Sequence, residues 1–96
     1  MYILITYDIN TESREGKRRL RNVAKVCLNY GQRVQNSVFE CSVDEGQFRL
    51  LKHKLGTIID NDVDNLRFYR LGKNYKSSIE HMGVNRAYDV EAPLII

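Results

Sequence analysis

Proline occurs once in this 96-residue chain, cysteine twice and histidine twice, and each scarcity removes a class of protein. A lone Pro93 beside 43% hydrophobic residues makes a folding composition rather than a disordered one. Cys27 and Cys41 lie in apolar patterns with neither the spacing of a zinc site nor that of a dense disulfide framework, so they read as reduced core residues of a cytoplasmic protein. His53 stands between Lys52 and Lys54 as a surface residue, and His81 has no acidic or cysteine partner at ligand spacing, which excludes a metal triad. No glycine-rich phosphate loop is present, and Ser37 lacks the His and Asp arrangement of a nucleophile. Asp60, Asp62 and Asp64 lack the other positions of a calcium loop and read as a helix stop. No apolar stretch approaches a membrane span, and no basic segment precedes the strand-like run after Met1, so neither export nor membrane insertion is expected. The length allows one domain and excludes a separate cofactor domain. A domain this small buries only about two-thirds of its unfolded surface, so a partner chain would help it.

What is present begins with Tyr2-Ile3-Leu4-Ile5-Thr6-Tyr7, a near-continuous apolar, β-branched and aromatic run that predicts a central strand covered on both faces. Ser13 or Thr11 then caps a helix starting near Arg14, in which Leu20, Val23, Ala24, Cys27 and Leu28 recur at helical spacing and Gly31 supplies the stop. Arg33 to Val43 alternates as extended chain, with a bulge or tight bend at Asn36-Ser37. Asp44-Glu45-Gly46-Gln47 resembles a capping box, and Phe48, Leu51, Leu55, Ile58 and Ile59 mark a second amphipathic helix. Val63 to Leu71 is a further strand, with Leu66 and Phe68 on one side and Arg67 and Tyr69 on the other.

This β-α-β-β-α-β order predicts an α+β sandwich of the ferredoxin-like type, with both helices on one face of the sheet. The other face is left bare, which predicts a homodimer with the two sheets packed about a twofold axis. Residues 1–83 form the expected domain, including a short strand near Ile79–Gly83. Residues 84–96 form a tail too short to fold alone, flexible or docked on a partner.

Two features carry chemistry. Asp8 ends a buried strand, where a carboxylate is costly to keep ionised without a partner or a metal. It suits a metal ligand, and it equally suits a solvated strand end that helps cap the first helix. One carboxylate holds Mg²⁺ poorly, but a twofold dimer would bring two Asp8 side chains together, to hold Mg²⁺ or Mn²⁺ for phosphodiester cleavage. The second feature is charge. Net charge is +3, with a pI near 9.0. Arg14, Arg18, Arg21 and Lys25 fall in one helical stripe, which Lys17 and Arg19 widen, and this suits either nucleic-acid phosphates or a solvated face. Arg67, Arg70, Lys73 and Lys76, interleaved with Tyr69 and Tyr75, make a second cationic stretch.

Tyr7-Asp8-Ile9, the arginine-rich helix closing on Tyr30-Gly31, the segment Arg33-Val34-Gln35-Asn36-Ser37-Val38-Phe39-Glu40 and Leu66-Arg67-Phe68-Tyr69-Arg70-Leu71 together resemble the small CRISPR-associated adaptation protein family, the second in that system's naming. The correspondence covers about the first 83 residues, in order and at the family's spacing. The resemblance implies a homodimer whose C-terminal strand crosses to the other subunit, and a CRISPR integrase partner with which it inserts short duplex DNA as new spacers. It implies a metal-dependent endonuclease acting on double-stranded DNA or single-stranded RNA, with Asp8 as catalytic residue and metal ligand. Tyr7, Arg18, Arg19, Arg33, Ser37 and Phe39 would then surround the site or the bound backbone. The alternative within the same family is a non-catalytic, dimeric DNA-binding scaffold of the integrase complex, with Asp8 structural. A module reading single-stranded RNA through sheet aromatics is disfavoured by the expected burial of the sheet face.

Overall fold

The computed structural model describes residues 1–73 and 75–83. Among them the order is β1 (Tyr2–Asp8), α1 (Arg14–Leu28), β2 (Gly31–Gln35), β3 (Val38–Ser42), α2 (Glu45–Ile58), β4 (Asn65–Leu71) and a 3₁₀ turn at Tyr75–Ser78. The strands form one sheet in the order β2-β3-β1-β4 with every neighbouring pair antiparallel. This is the expected α+β sandwich.

Alternation sorts the side chains. Ile3, Ile5 and Tyr7 of β1, Phe39 and Cys41 of β3, and Val43 lie under the helices, where they meet Val23 and Cys27 of α1 and Phe48, Leu51 and Leu55 of α2. Fully burying an aliphatic or phenylalanine side chain contributes about 1.5–3 kcal/mol, so this layer supplies most of the fold's driving force. Phe48 meets Phe68 of β4 edge-on, with ring centroids 5.5 Å apart. Cys27 and Cys41 are free, buried thiols, both pushed up to about 12, chiefly by burial.

Both helix starts follow from their caps. Ser13 Oγ accepts from the Gly16 amide at 3.0 Å. Asp44 and Gln47 form the reciprocal capping box the sequence announced, at 2.7 and 2.9 Å. Gly31 plays a different part from the one expected. α1 ends at Leu28 and Gly31 begins β2, without the positive φ of a glycine helix stop. A Cβ on Gly31 would lie 2.0 Å from the Glu40 carbonyl oxygen, so close approach of β2 to β3 is what requires glycine there. The extended stretch from Arg33 to Val43 divides into two strands around a turn at Asn36–Ser37, with a register irregularity between Arg33 and Gln35.

β1 is interior, as expected, but its two faces differ. The helix-side residues are buried, whereas Tyr2, Leu4 and Thr6 on the open face are half-buried in the single chain. Part of that cover is local: the chain after β4 turns back and sets the buried Tyr75 ring against Tyr2, centroids 4.2 Å apart. The short strand expected near Ile79–Gly83 does not form within the single chain, where those residues pair with no strand. Its expected partner is a second subunit's sheet. The tail from 84 to 96 lies outside the described residues.

Candidate metal and nucleic-acid site

Asp8 is the last residue of β1, opposite Asn65 of β4, and its side chain is exposed. Strand alternation sends it to the open face with Leu4 and Thr6, away from the helices. Its carboxylate has no hydrogen-bond or ion-pair partner among the described residues. It does not cap α1, because Ser13 does.

The chain just beyond Asp8 is firmly held. Ile9 is buried, and Asn10 is engaged through its amide, its side-chain oxygen and its carbonyl. The Asn10 amide donates to Asp64 Oδ1 at 3.0 Å, its side-chain oxygen accepts from the Glu12 amide at 3.0 Å, and its carbonyl receives Arg19 Nη2 at 3.5 Å. Gly16 makes the approach possible, since a Cβ there would lie 1.9 Å from the Asn10 carbonyl oxygen.

Asp64 is the residue sequence reasoning missed. It read as part of an acidic helix stop, yet its side chain is wholly buried and accepts from Arg19 Nε at 2.7 Å and from the Asp60 amide at 2.8 Å, besides Asn10. Burial pushes this carboxyl up, but hydrogen bonds from Arg19, Asp60 and Asn10 and the Arg19 charge outweigh it and hold it below the ordinary range. Buried carboxylates persist when paired and hydrogen-bonded in this way. Arg19 is thereby turned inward to an ion pair, apart from the outward stripe to which the sequence assigned it.

Arg14, Arg18, Arg21 and Lys25 are exposed along α1, with Lys17 beside them, and none forms an ion pair among the described residues. The second cationic stretch divides. Arg67 lies on the open face and donates to Tyr69 Oη at 3.0 Å, while Arg70 reaches Glu45 at 2.9 Å on the helix side and lies over the Phe48 ring.

Tyr7, Phe39 and Arg33 do come together, but on the helix side of the sheet, opposite Asp8. The Tyr7 ring stacks near Phe39 with centroids 6.1 Å apart, and the Arg33 guanidinium lies 5.2 Å from the Phe39 ring centre. Tyr7 Oη donates to the Asn36 carbonyl at 3.2 Å. Burial, then Cys27, push the Tyr7 hydroxyl up in pKa, against the pull of a hydrogen bond and the charge of Arg33. Ser37 contributes its carbonyl, which accepts from the Tyr7 amide at 3.1 Å and fastens the hairpin turn to the end of β1. These residues support the strand end from beneath.

No group of three or more His, Cys, Asp or Glu side chains that could hold a metal forms among the described residues, and no helix among them is long and apolar enough to cross a membrane. The family model for CRISPR associated protein Cas2 matches residues 1–79. The chain belongs to the Cas2 family. It is 58% identical over 95 residues to a CRISPR-associated endonuclease Cas2 of Halalkalibacterium halodurans, covering 99% of each chain. It is 57% identical to a CRISPR-associated endoribonuclease Cas2 of Moorella thermoacetica, over the whole of both chains. The crystal structure of Streptococcus pyogenes Cas2 at pH 6.5 matches with a TM-score of 0.79 and 57% identity, covering 86% of this chain and 100% of that one. Within this Cas2-family fold, Asp8 is the exposed carboxylate at the end of the innermost apolar strand.

Proposed function

We propose that this chain is a homodimeric, Mg²⁺-dependent endonuclease of CRISPR adaptation, with Asp8 as its metal ligand and catalytic residue. The observation that carries the reading is the exposed Asp8 carboxylate, without a partner among the described residues, on a chain whose relatives are named endonuclease and endoribonuclease. One chain offers the ion a single carboxylate at this point. Mg²⁺ is commonly held by one or two carboxylates, with waters and substrate phosphate oxygens completing six positions, so Asp8 of two copies fits its donor requirements; Mn²⁺ accepts the same oxygen donors.

Half-buried Tyr2, Leu4, Val38 and Leu71, with the more exposed Tyr69, give the open sheet face the apolar character that suits a second copy. Once bound, the ion supplies Lewis acidity at the phosphate and lowers the pKa of water. Asp8 orients that ion relative to the scissile phosphate. Arg14, Arg18, Arg21 and Lys25 hold neighbouring backbone phosphates and fix the register of the nucleic acid, and Arg33 flanks the same end of the sheet. Arg19 is left out of this contact set because Asp64 occupies its guanidinium. The remaining partners of the reading are the CRISPR integrase and the DNA they insert together.

The test is cleavage of labelled double-stranded DNA and single-stranded RNA with Mg²⁺, with Mn²⁺ and with chelator, by wild type and by Asp8→Ala. Cleavage that requires metal and vanishes in a folded Asp8→Ala supports the reading and identifies the preferred nucleic acid. Equal activity in both proteins, or silence in both, overturns it and leaves a DNA-binding scaffold.

A further inference from the structure

We propose that Asp64 is a positioning residue for Asp8, and that the cluster of Asn10, Gly16, Arg19 and Asp64 is the device through which it acts. The inference rests on Asp8 being the metal ligand and adds how its direction is set. Asp64 immediately precedes β4, whose first residue, Asn65, is paired with Asp8. Its carboxylate reaches across to the amide of Asn10, two residues beyond Asp8, while Arg19 of α1 holds that carboxylate through Nε and Nη2. The same Arg19 touches the Asn10 carbonyl, which lies against the bare Cα of Gly16. The exit from β1 is therefore gripped at the Asn10 amide by Asp64, just before β4, and at the Asn10 carbonyl by Arg19 of α1.

A ligand at a strand end would otherwise share the fraying of the loop that follows it. Here the backbone just beyond Asp8 is tied down, while the Asp8 side chain has no partner among the described residues. Placing one buried carboxylate so that two distant segments and a helix converge beside the exposed one is the arrangement by which outer residues orient a metal ligand.

The test uses full-length Asp64→Asn, Arg19→Lys and Asp8→Asn, all at a temperature well below their melting midpoints. Three quantities are read: exchange of the Asn10 amide in metal-free protein, equilibrium Mn²⁺ binding, and kcat and KM for cleavage. Asp64→Asn is expected to speed exchange at Asn10, weaken Mn²⁺ binding and lower kcat by about 10-fold or more, with KM for nucleic acid within about twofold. Arg19→Lys, which keeps the charge but loses the two-pronged grip, is expected to fall between it and wild type, and it carries the test if Asp64→Asn does not fold. Faster exchange in a folded variant with unchanged Mn²⁺ binding and kcat overturns the positioning role and leaves Asp64 as a purely structural tie. Asp8→Asn that binds Mn²⁺ and cleaves like wild type overturns the nuclease reading itself. Asp8→Asn that is silent beside a wild-type-like Asp64→Asn overturns only the positioning role.

Discussion

Asp8 and Asp64 stand at the facing ends of neighbouring strands, and their surroundings differ in every respect that matters to a carboxylate. Asp64 is withdrawn from water, saturated by Arg19 and two backbone amides, and held ionised. Asp8 faces solvent with both oxygens open among the described residues. A buried charge with a full set of donors does structural work, because its removal strands the donors it satisfied. An exposed one without a partner among the described residues contributes little to folding, and its oxygens are open to the ligand role proposed for it. α1 repeats the contrast with the opposite sign: Arg19 is spent on Asp64, while Arg14, Arg18 and Arg21 remain available to an anion.

The largest effect should come from Asp8→Ala, with cleavage lost and the melting midpoint unchanged; a midpoint that falls with activity would erase the distinction. Next is Gly16→Ala. The new methyl would meet backbone atoms of Asn10 that cannot step aside, so urea titration should show a loss of about 1–3 kcal/mol or more, despite the higher helix propensity of alanine. Stability like that of wild type would show that the exit from β1 is not packed as described.

The two arginines separate by salt. Arg18→Ala should lower the slope of log binding constant against log salt by about 1, leaving the melting midpoint alone, whereas Arg19→Ala should lower the midpoint. Equal slopes and midpoints for the two variants would merge what the structure separates. A smaller effect appears in acid. Because folding depresses the Asp64 carboxyl, its contribution is complete above the ordinary aspartate value near 4 and is lost as pH falls through the depressed one. Wild type should therefore lose stability below about pH 4 more steeply than Asp64→Asn, as read by thermal melts across that range. The smallest is Glu45→Gln. Its 2.9 Å contact with Arg70 joins two groups more than half exposed, and no shift in melting midpoint is expected.

Much of this was legible in the chain itself because the signals are local. Period and caps place β1, both helices and β4, and an acid closing an apolar run singles out Asp8. What was not legible depends on contacts between distant residues. Asp64 meets Arg19 across 45 positions and Asn10 across 54, so nothing beside it in sequence sets it apart from Asp60 and Asp62. Gly31 looked like a helix stop because the same residue serves both a left-handed turn and close strand packing. The resemblance sets Tyr7 and Phe39 around the Asp8 site or the bound backbone, and strand alternation adds that their rings lie on the helix side of the sheet, a contact between distant residues that no local pattern announces.

The shared use of Asp8 by two copies is tested most directly by equilibrium binding of Mn²⁺ to metal-free protein, following the electron paramagnetic resonance signal of the free ion beside Asp8→Asn. The account predicts one tightly held ion per pair of chains in wild type and none in the variant. Binding of equal strength and stoichiometry in both proteins, or no binding in wild type, would contradict it.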